Sequence, residues 1–245
     1  PKIVELLVSH TVIGLACGPR HCIVHTSANA VFTWGRGNHG RLGLGTADNH
    51  NTPQLVPVAT FNMQVDTVAA GLDGSAIIDS DGLIYCTGNN AHNKLGLCDS
   101  KSKENVRQTL IFRRASIFPN IDIKRPQPFA MGSSHTLLIA PGGCVYGLGS
   151  NKFGQITAVS DTADVTVPVS MTFTDSVVRV VAGDTFSLAV TEDGQVLSCG
   201  RTCGHTVDCS PPQPLHFADH DQHRASCIAS ADGYIAVALT VQQRD

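Results

Sequence analysis

Residues 35–45 read GRGNHGRLGLG, and Gly35, Gly37 and Gly40 within them carry the G-x-G-x-x-G spacing by which a backbone can cradle the phosphates of a nucleotide. The fold turns on whether this is a phosphate loop or a turn that recurs. In a dinucleotide fold the glycines leave a strand, open a helix, and are followed about 20 residues later by a carboxylate that holds the ribose. Here they lead into RLGLGTADNHNTPQLVPV, where Gly45, Pro53 and Pro57 break any helix and no acidic residue stands at the required distance. A kinase glycine loop fails as well: Leu42 occupies the place of the expected Val, and no V-A-I-K-like strand, H-R-D or D-F-G follows.

The stretch belongs to a pattern repeated along the chain. IGLACGPRHCIVHTSANAVFTWGRGNHGRLGLG starts at Ile13, VDTVAAGLDGSAIIDSDGLIYCTGNNAHNKLGL at Val65, PFAMGSSHTLLIAPGGCVYGLGSNKFGQI at Pro128 and VVRVVAGDTFSLAVTEDGQVLSCGRTCG at Val177. An incomplete fifth copy, CIASADGYIAVALT, starts at Cys227. Gly18, Gly71, Gly132 and Gly183 are separated by 53, 61 and 51 residues, and Gly35, Gly88, Gly149 and Gly200 repeat the same intervals. Two landmarks moving in step identify a true internal repeat. The segments GNNAHNKLGL and GSNKFGQI keep the shape of the opening stretch without its glycine spacing, so the glycines read as a recurring tight turn.

Each copy reads as short strands. VVRVVA, FSLAVT and QVLSCG are β-branched or apolar runs of strand length, the last two joined through Glu192, Asp193 and Gly194. Asp81-Gly82 stands at the same place in the second copy, Pro141-Gly142-Gly143 in the third and Ser27-Ala28-Asn29 in the first, each offering a residue that tolerates positive φ. A meander this small cannot cover both of its faces and must stack on its neighbours. Copies of about 50 residues with several strands each predict an all-β protein of the β-propeller class, with four to five antiparallel blades present. The expected boundaries within a single, partial propeller over residues 1–245 are about 13–58, 65–127, 128–175, 177–225 and an incomplete 226–245.

Composition agrees with a globular protein: 245 residues, 42% hydrophobic, with 17 basic and 20 acidic residues giving a formal charge of -3. No positive field draws it to nucleic acid or anionic lipid, no apolar run reaches the length of a membrane span, and PKIVELLVSH lacks the apolar stretch of a secretory signal. The nine irregularly spaced cysteines read mainly as reduced, small hydrophobes, so a cytoplasmic setting is expected.

The motif A-C-G-x-x-H, a turn, then V-F-T-W-G-x-x-x-x-G-x-L-G-x-G and a downstream Pro resembles the RCC1 repeat. Cys17, Gly18, His21, Trp34, Gly35, Gly40, Leu42, Gly43, Gly45 and Pro53 carry it in the first copy. Gly132, His135, Thr136, Gly149, Asn151, Gly154 and Gln155 carry it in the third, and Gly183, Asp193, Gly194 and Gly200 in the fourth. The resemblance implies blades of a seven-bladed propeller. Since four copies and a partial fifth fall short of that number, and PKIVELL looks like the tail of a preceding repeat, the chain is expected to be part of a longer propeller or a divergent smaller ring. The order of the copies is similar to the later repeats of the NIMA-related protein kinases that carry an RCC1 domain. That likeness implies a non-catalytic propeller that restrains or targets a serine/threonine kinase in cell-cycle control. Its partner would be a kinase domain in the same chain, and its location cytoplasmic, nuclear, or at the spindle and centrosome. This chain has no kinase motifs and no expected cofactor; ATP and Mg would belong to the kinase. The prototype of the family exchanges nucleotide on the GTPase Ran, so exchange on, or binding to, a Ran-like GTPase is the alternative, although no exchange residue maps here.

Three groups of residues have chemistry to consider. His21 and His135 hold equivalent positions, but other copies offer Asp73 or Gly74, Phe186 and Gly233 nearby, which predicts packing with a backbone hydrogen bond rather than catalysis. CGRTCGHTVDC places Cys199, Cys203, His205 and Cys209 close in sequence, with His216, His220 and His223 downstream, a set of zinc-type ligands without a recognised finger spacing. Cys199 also occupies the place of Trp34, Thr87 and Leu148, where packing inside the blade is expected. The longest insertion, Asp99 to Pro128, contains seven of the 17 basic residues: Lys101, Lys103, Arg107, Arg113, Arg114, Lys124 and Arg125. It is the expected docking loop for a partner or an acidic segment, and Arg113-Arg114-Ala115-Ser116 makes Ser116 a candidate phosphorylation site.

Overall fold

The computed structural model describes residues 3–57, 63–98, 106–125, 127–156, 164–173, 175–201, 209–215, 223–231 and 234–241. The chain forms two compact units, residues 1–123 and 124–245. In the first, strands β1 (Val12–Cys17), β2 (His21–Thr26), β3 (Val31–Gly35) and β4 (His50–Val56) make one four-stranded antiparallel meander. β5 (Val65–Ala70), β6 (Gly74–Asp79), β7 (Ile84–Asn89) and β8 (Gln108–Arg114) make the next. The second unit repeats the plan with β9 (Phe129–Met131), β10 (His135–Ile139), β11 (Val145–Ser150) and β12 (Asp164–Met171). It continues with β13 (Val177–Ala182), β14 (Phe186–Thr191), β15 (Val196–Gly200) and β16 (Cys209–Pro214), and ends in the pair β17 (His223–Ala231) and β18 (Tyr234–Val241). Helical structure among the described residues is limited to 3-10 turns such as Asn38–Gly40 and Ala91–Asn93, and no helix is long and apolar enough to cross a membrane.

The turns form where the chain contains residues that accept left-handed backbone. Asn29, Gly82, Gly143 and Gly194 take φ of 60°, 75°, 80° and 83° at the hairpin between the second and third strands of their blades. A second recurring feature lies at the end of each third strand, where the register with the fourth slips at Gly35, Gly88, Gly149 and Gly200. Gly35 has φ 111°, and a Cβ there would stand 2.5 Å from the Arg20 carbonyl. The bulge and the close approach together admit only glycine.

Within each unit one face of a blade packs on the opposite face of the next. Ile23, Val31 and Val56 of the first blade lie against Val65, Val68, Ile77 and Phe112 of the second. Leu137, Ile139, Val145 and Ile156 lie against Val177, Val180, Ala189 and Cys199, and Leu188, Val190 and Val196 against Ile228. A fully buried Ile23 or Ile77 contributes about 1.5–3 kcal/mol through lost apolar hydration. The outward face of β1 differs, since Ile13 and Leu15 are 60% and 63% exposed whereas Val68 and Val180, at the register position of Leu15, are 7% and 0% exposed.

Candidate interaction site and the frame that holds it

The loop of residues 35–45 is laid against the neighbouring blade. Gly37 N–H donates to Asn49 Oδ1 (3.0 Å), Gly40 N–H to the Gly37 carbonyl, Gly43 N–H to the Gly40 carbonyl, and Gly45 N–H to the Leu110 carbonyl of β8 (2.9 Å). These amides are spent inside the protein, so they form no cradle for a phosphate. Gly40 and Gly43 have φ of 78° and 69°, and a Cβ on them would strike the Leu110 backbone and the Phe112 ring respectively. Gly154 in the third blade takes φ 69°.

A hydrogen-bond relay ties neighbouring blades together once in each unit. His21 Nε2 is 2.8 Å from Ser75 Oγ, and Ser75 Oγ donates to the Arg41 carbonyl (2.7 Å). In the second unit His135 Nε2 is 2.9 Å from Ser187 Oγ, which donates to the Gln155 carbonyl (2.6 Å). A seryl hydroxyl has one proton and gives it to the carbonyl, so each imidazole donates to it through Nε2–H, and burial rather than this bond keeps His21 neutral. Burial lowers His21 from 6.5 to about 4, assisted by the Arg41 charge. Sequence reading expected a backbone partner for this histidine; the structure adds a side-chain partner on the next blade. The register places Gly74 and Phe186 at the same position. Close backbone approach completes the seam: a Cβ on Gly18 would lie 2.2 Å from the Gly71 carbonyl oxygen, and one on Gly132 would lie 2.4 Å from that of Gly183.

Beside the first relay is a buried charge cluster that sequence reading did not identify. The Lys94 ammonium, fully buried, pairs with Asp73, and Asn89 Nδ2 donates to the other Asp73 oxygen (2.7 Å). Arg41 Nη1 donates to the Leu72 carbonyl (2.9 Å). Desolvation pushes the Lys94 ammonium down and the Asp73 charge offsets it. Arg41 and Lys94 sit at equivalent places in GRLGLG and NKLGL, a correspondence legible once the copies are set side by side. Ser75 and Ser187 were legible in the same way, each directly following the position of His21 and His135 in its own copy.

The basic segment is not a loop throughout. Arg113 and Arg114 lie on β8, the outer edge strand of the second blade, with Arg107 exposed just before it. The insertion read as a loop therefore contains the fourth strand, QTLIFRR, which buries Thr109 and Phe112 on either side of the register slip against β7. Ser116 is exposed in a turn held by Ala115 N–H to the Ile84 carbonyl (2.9 Å) and by buried Phe118. Lys101 and Lys103 lie outside the described residues, Lys124 is exposed, and Arg125 donates to Glu192 (2.6 Å). Of the zinc-type set, Cys199 is buried and its thiol donates to the Gln155 carbonyl (3.2 Å). Cys209 and His223 begin β16 and β17, whereas Cys203, His205, His216 and His220 lie outside the described residues. Among the described residues no three His, Cys, Asp or Glu side chains group to hold a metal. Trp34, partly buried, lies beside Cys22 in register on the outward face of the first blade.

The family described as "Regulator of chromosome condensation (RCC1) repeat" matches residues 29–78 and 142–190. The chain carries RCC1 repeats. It is 31% identical over 193 residues to the serine/threonine-protein kinase Nek8 of Danio rerio, a match covering 76% of this chain and 27% of Nek8. It is 28% identical over 228 residues to Nek9 of Mus musculus, covering 89% of this chain and 23% of Nek9. The chain therefore spans about a quarter of the length of these kinases. Yeast RCC1 (Prp20) bound to Kap60 superposes with a TM-score of 0.79 at 18% identity over the whole chain and 56% of Prp20. The structure of Prp20p from Saccharomyces cerevisiae described with its binding properties to Gsp1p and histones gives 0.75 at 20% identity, over the whole chain and 58% of that protein. The fold is the RCC1-type β-propeller fold. The matched RCC1 segments are offset from the blades: 29–78 holds β3 to β6 and 142–190 holds β11 to β14, each the outer half of one blade and the inner half of the next.

Proposed function

We propose that this chain is a non-catalytic, protein-binding propeller segment that restrains or targets a NIMA-related serine/threonine kinase in cell-cycle control. The observation that carries the reading is the likeness to Nek8 across three quarters of the chain. The histidine relay supports it, since His21 and His135 are committed to joining blades and are not directed at a substrate. The kinase domain, with its ATP and Mg, is the partner in this reading, whether in the same chain or separate. The exposed Arg107 and Arg114, at opposite ends of the β8 edge, supply a docking strip for an acidic segment, and phosphate on Ser116 would compete for Arg114. Action would be cytoplasmic, reaching the nucleus, spindle or centrosome with the kinase.

The test adds the purified chain to an isolated NIMA-related kinase domain and measures phosphorylation of a peptide substrate. Saturable binding with reduced turnover is expected, weakened by Arg107→Glu with Arg114→Glu; absence of binding overturns the reading. A second reading, exchange on a Ran-like GTPase, draws support from the likeness to Prp20p, whose description names Gsp1p. Faster release of fluorescent GDP from Gsp1p in the presence of the chain would favour it.

A further inference from the structure

We propose that Cys17 and Cys22 form a reversible cross-strand disulfide, a thiol–disulfide exchange site for small disulfides of the glutathione type. The two residues are direct partners in the β1–β2 register. Gly18 N–H donates to the His21 carbonyl (2.9 Å), which makes 18 and 21 the hydrogen-bonded pair and the adjacent 17 and 22 a non-hydrogen-bonded pair. At such pairs the Cα atoms stand about 4.5 Å apart and the side chains converge on one face. That spacing lies within the range of about 4.4–6.8 Å that a disulfide spans. The sulfur atoms already stand 3.4 Å apart, Cys17 is exposed and Cys22 half-buried, so a reagent reaches the pair from solvent. Ala70 and Ser75, Met131 and Thr136, and Ala182 and Ser187 occupy the equivalent pair in other blades, so the thiols are a property of the first blade and not of the repeat.

The exchange balances without a further reactant. The Cys17 thiolate attacks one sulfur of oxidised glutathione, forming a mixed disulfide and releasing one glutathione thiolate. The Cys22 thiolate then attacks Cys17 Sγ, the bond to glutathione breaks and the second glutathione leaves. Two protein thiols are oxidised, one glutathione disulfide becomes two glutathione thiols, and the protons from the cysteines pass to the leaving thiolates. Burial, then the hydrogen bond to Cys17 and its charge, hold the Cys22 thiol up to about 11 in the reduced pair, and the exchange, which needs thiolates, quickens with rising pH.

The test uses the intact chain. It is incubated with oxidised glutathione at about pH 8, quenched with iodoacetamide and digested with trypsin without reduction. Trypsin cleaves after Arg20, between the two cysteines, so peptides 3–20 and 21–36 separate unless a disulfide joins them. The expected product is the joined pair, lighter by two hydrogens than the sum of its parts, with alkylation of both cysteines reduced about tenfold and restored by dithiothreitol. Cys22→Ser should trap glutathione on Cys17 and yield no joined peptides. Full alkylation of both cysteines, a separate glutathione on each, or linkage of either to a different cysteine would overturn the proposal.

Discussion

At the scale of single residues, the His21–Ser75–Arg41 relay makes a pH prediction whose sign follows from the neutral imidazole. The folded chain holds His21 at about 4, against 6.5 for a free histidine. Between those values the unfolded chain binds the proton and the folded chain does not, so stability falls as pH drops through this window and levels off below about 4. The shift corresponds to about 3 kcal/mol. Denaturant titrations from neutral to acid pH should show this slope, and His21→Gln, which keeps a donor for Ser75, should remove His21's share of it. The Lys94–Asp73 pair predicts a sharper effect: Asp73→Ala leaves a buried ammonium without its counter-charge and should cost about 3–5 kcal/mol in urea unfolding. Adding Lys94→Met should recover most of that loss. The sequence reads the histidines as packing residues because their position varies between copies, and both side chains are buried. It did not disclose the seryl partner, because the relay joins residues 54 apart whose proximity depends on stacking.

At the scale of elements, hairpins and strand breaks were legible because Asn29, Gly82 and Gly194 announce left-handed turns in the residue type itself. The β8 strand was hidden within an insertion rich in arginine, since an edge strand carries charge to keep it from pairing with other chains. The loop of residues 40–45 allows conformational strain to be separated from packing. Gly45 has φ 86° and nothing within 4 Å of an added Cβ, so Gly45→Ala should cost about 1 kcal/mol through backbone strain alone. Gly43 has a similar φ with the Phe112 ring 2.3 Å away, so Gly43→Ala should cost about 1–3 kcal/mol more. Thermal melts of the two variants side by side provide the comparison, and equal losses would contradict the packing of this loop on β8.

At the scale of the molecule, the blades share a plan but not an environment. Leu15 stands in water at a position where Val68 and Val180 are buried, so Leu15→Lys should change stability by less than about 0.5 kcal/mol while Val180→Lys unfolds its unit. Circular dichroism on both variants tests this, and a large loss from Leu15→Lys would mean that the face is covered in solution. The blade count and strand order were legible from the glycine intervals. Which faces lie against protein was not, because the apolar pattern is the same on a covered face and an uncovered one. The phase of the RCC1 segments adds a consequence for how such a chain can lengthen. A tandem duplication running from one hairpin tip to the next inserts two outer strands and then two inner ones. The old half-blades find complements on either side of the insert, every seam remains bridged by continuous polypeptide, and growth proceeds in whole sheets with no orphaned strand.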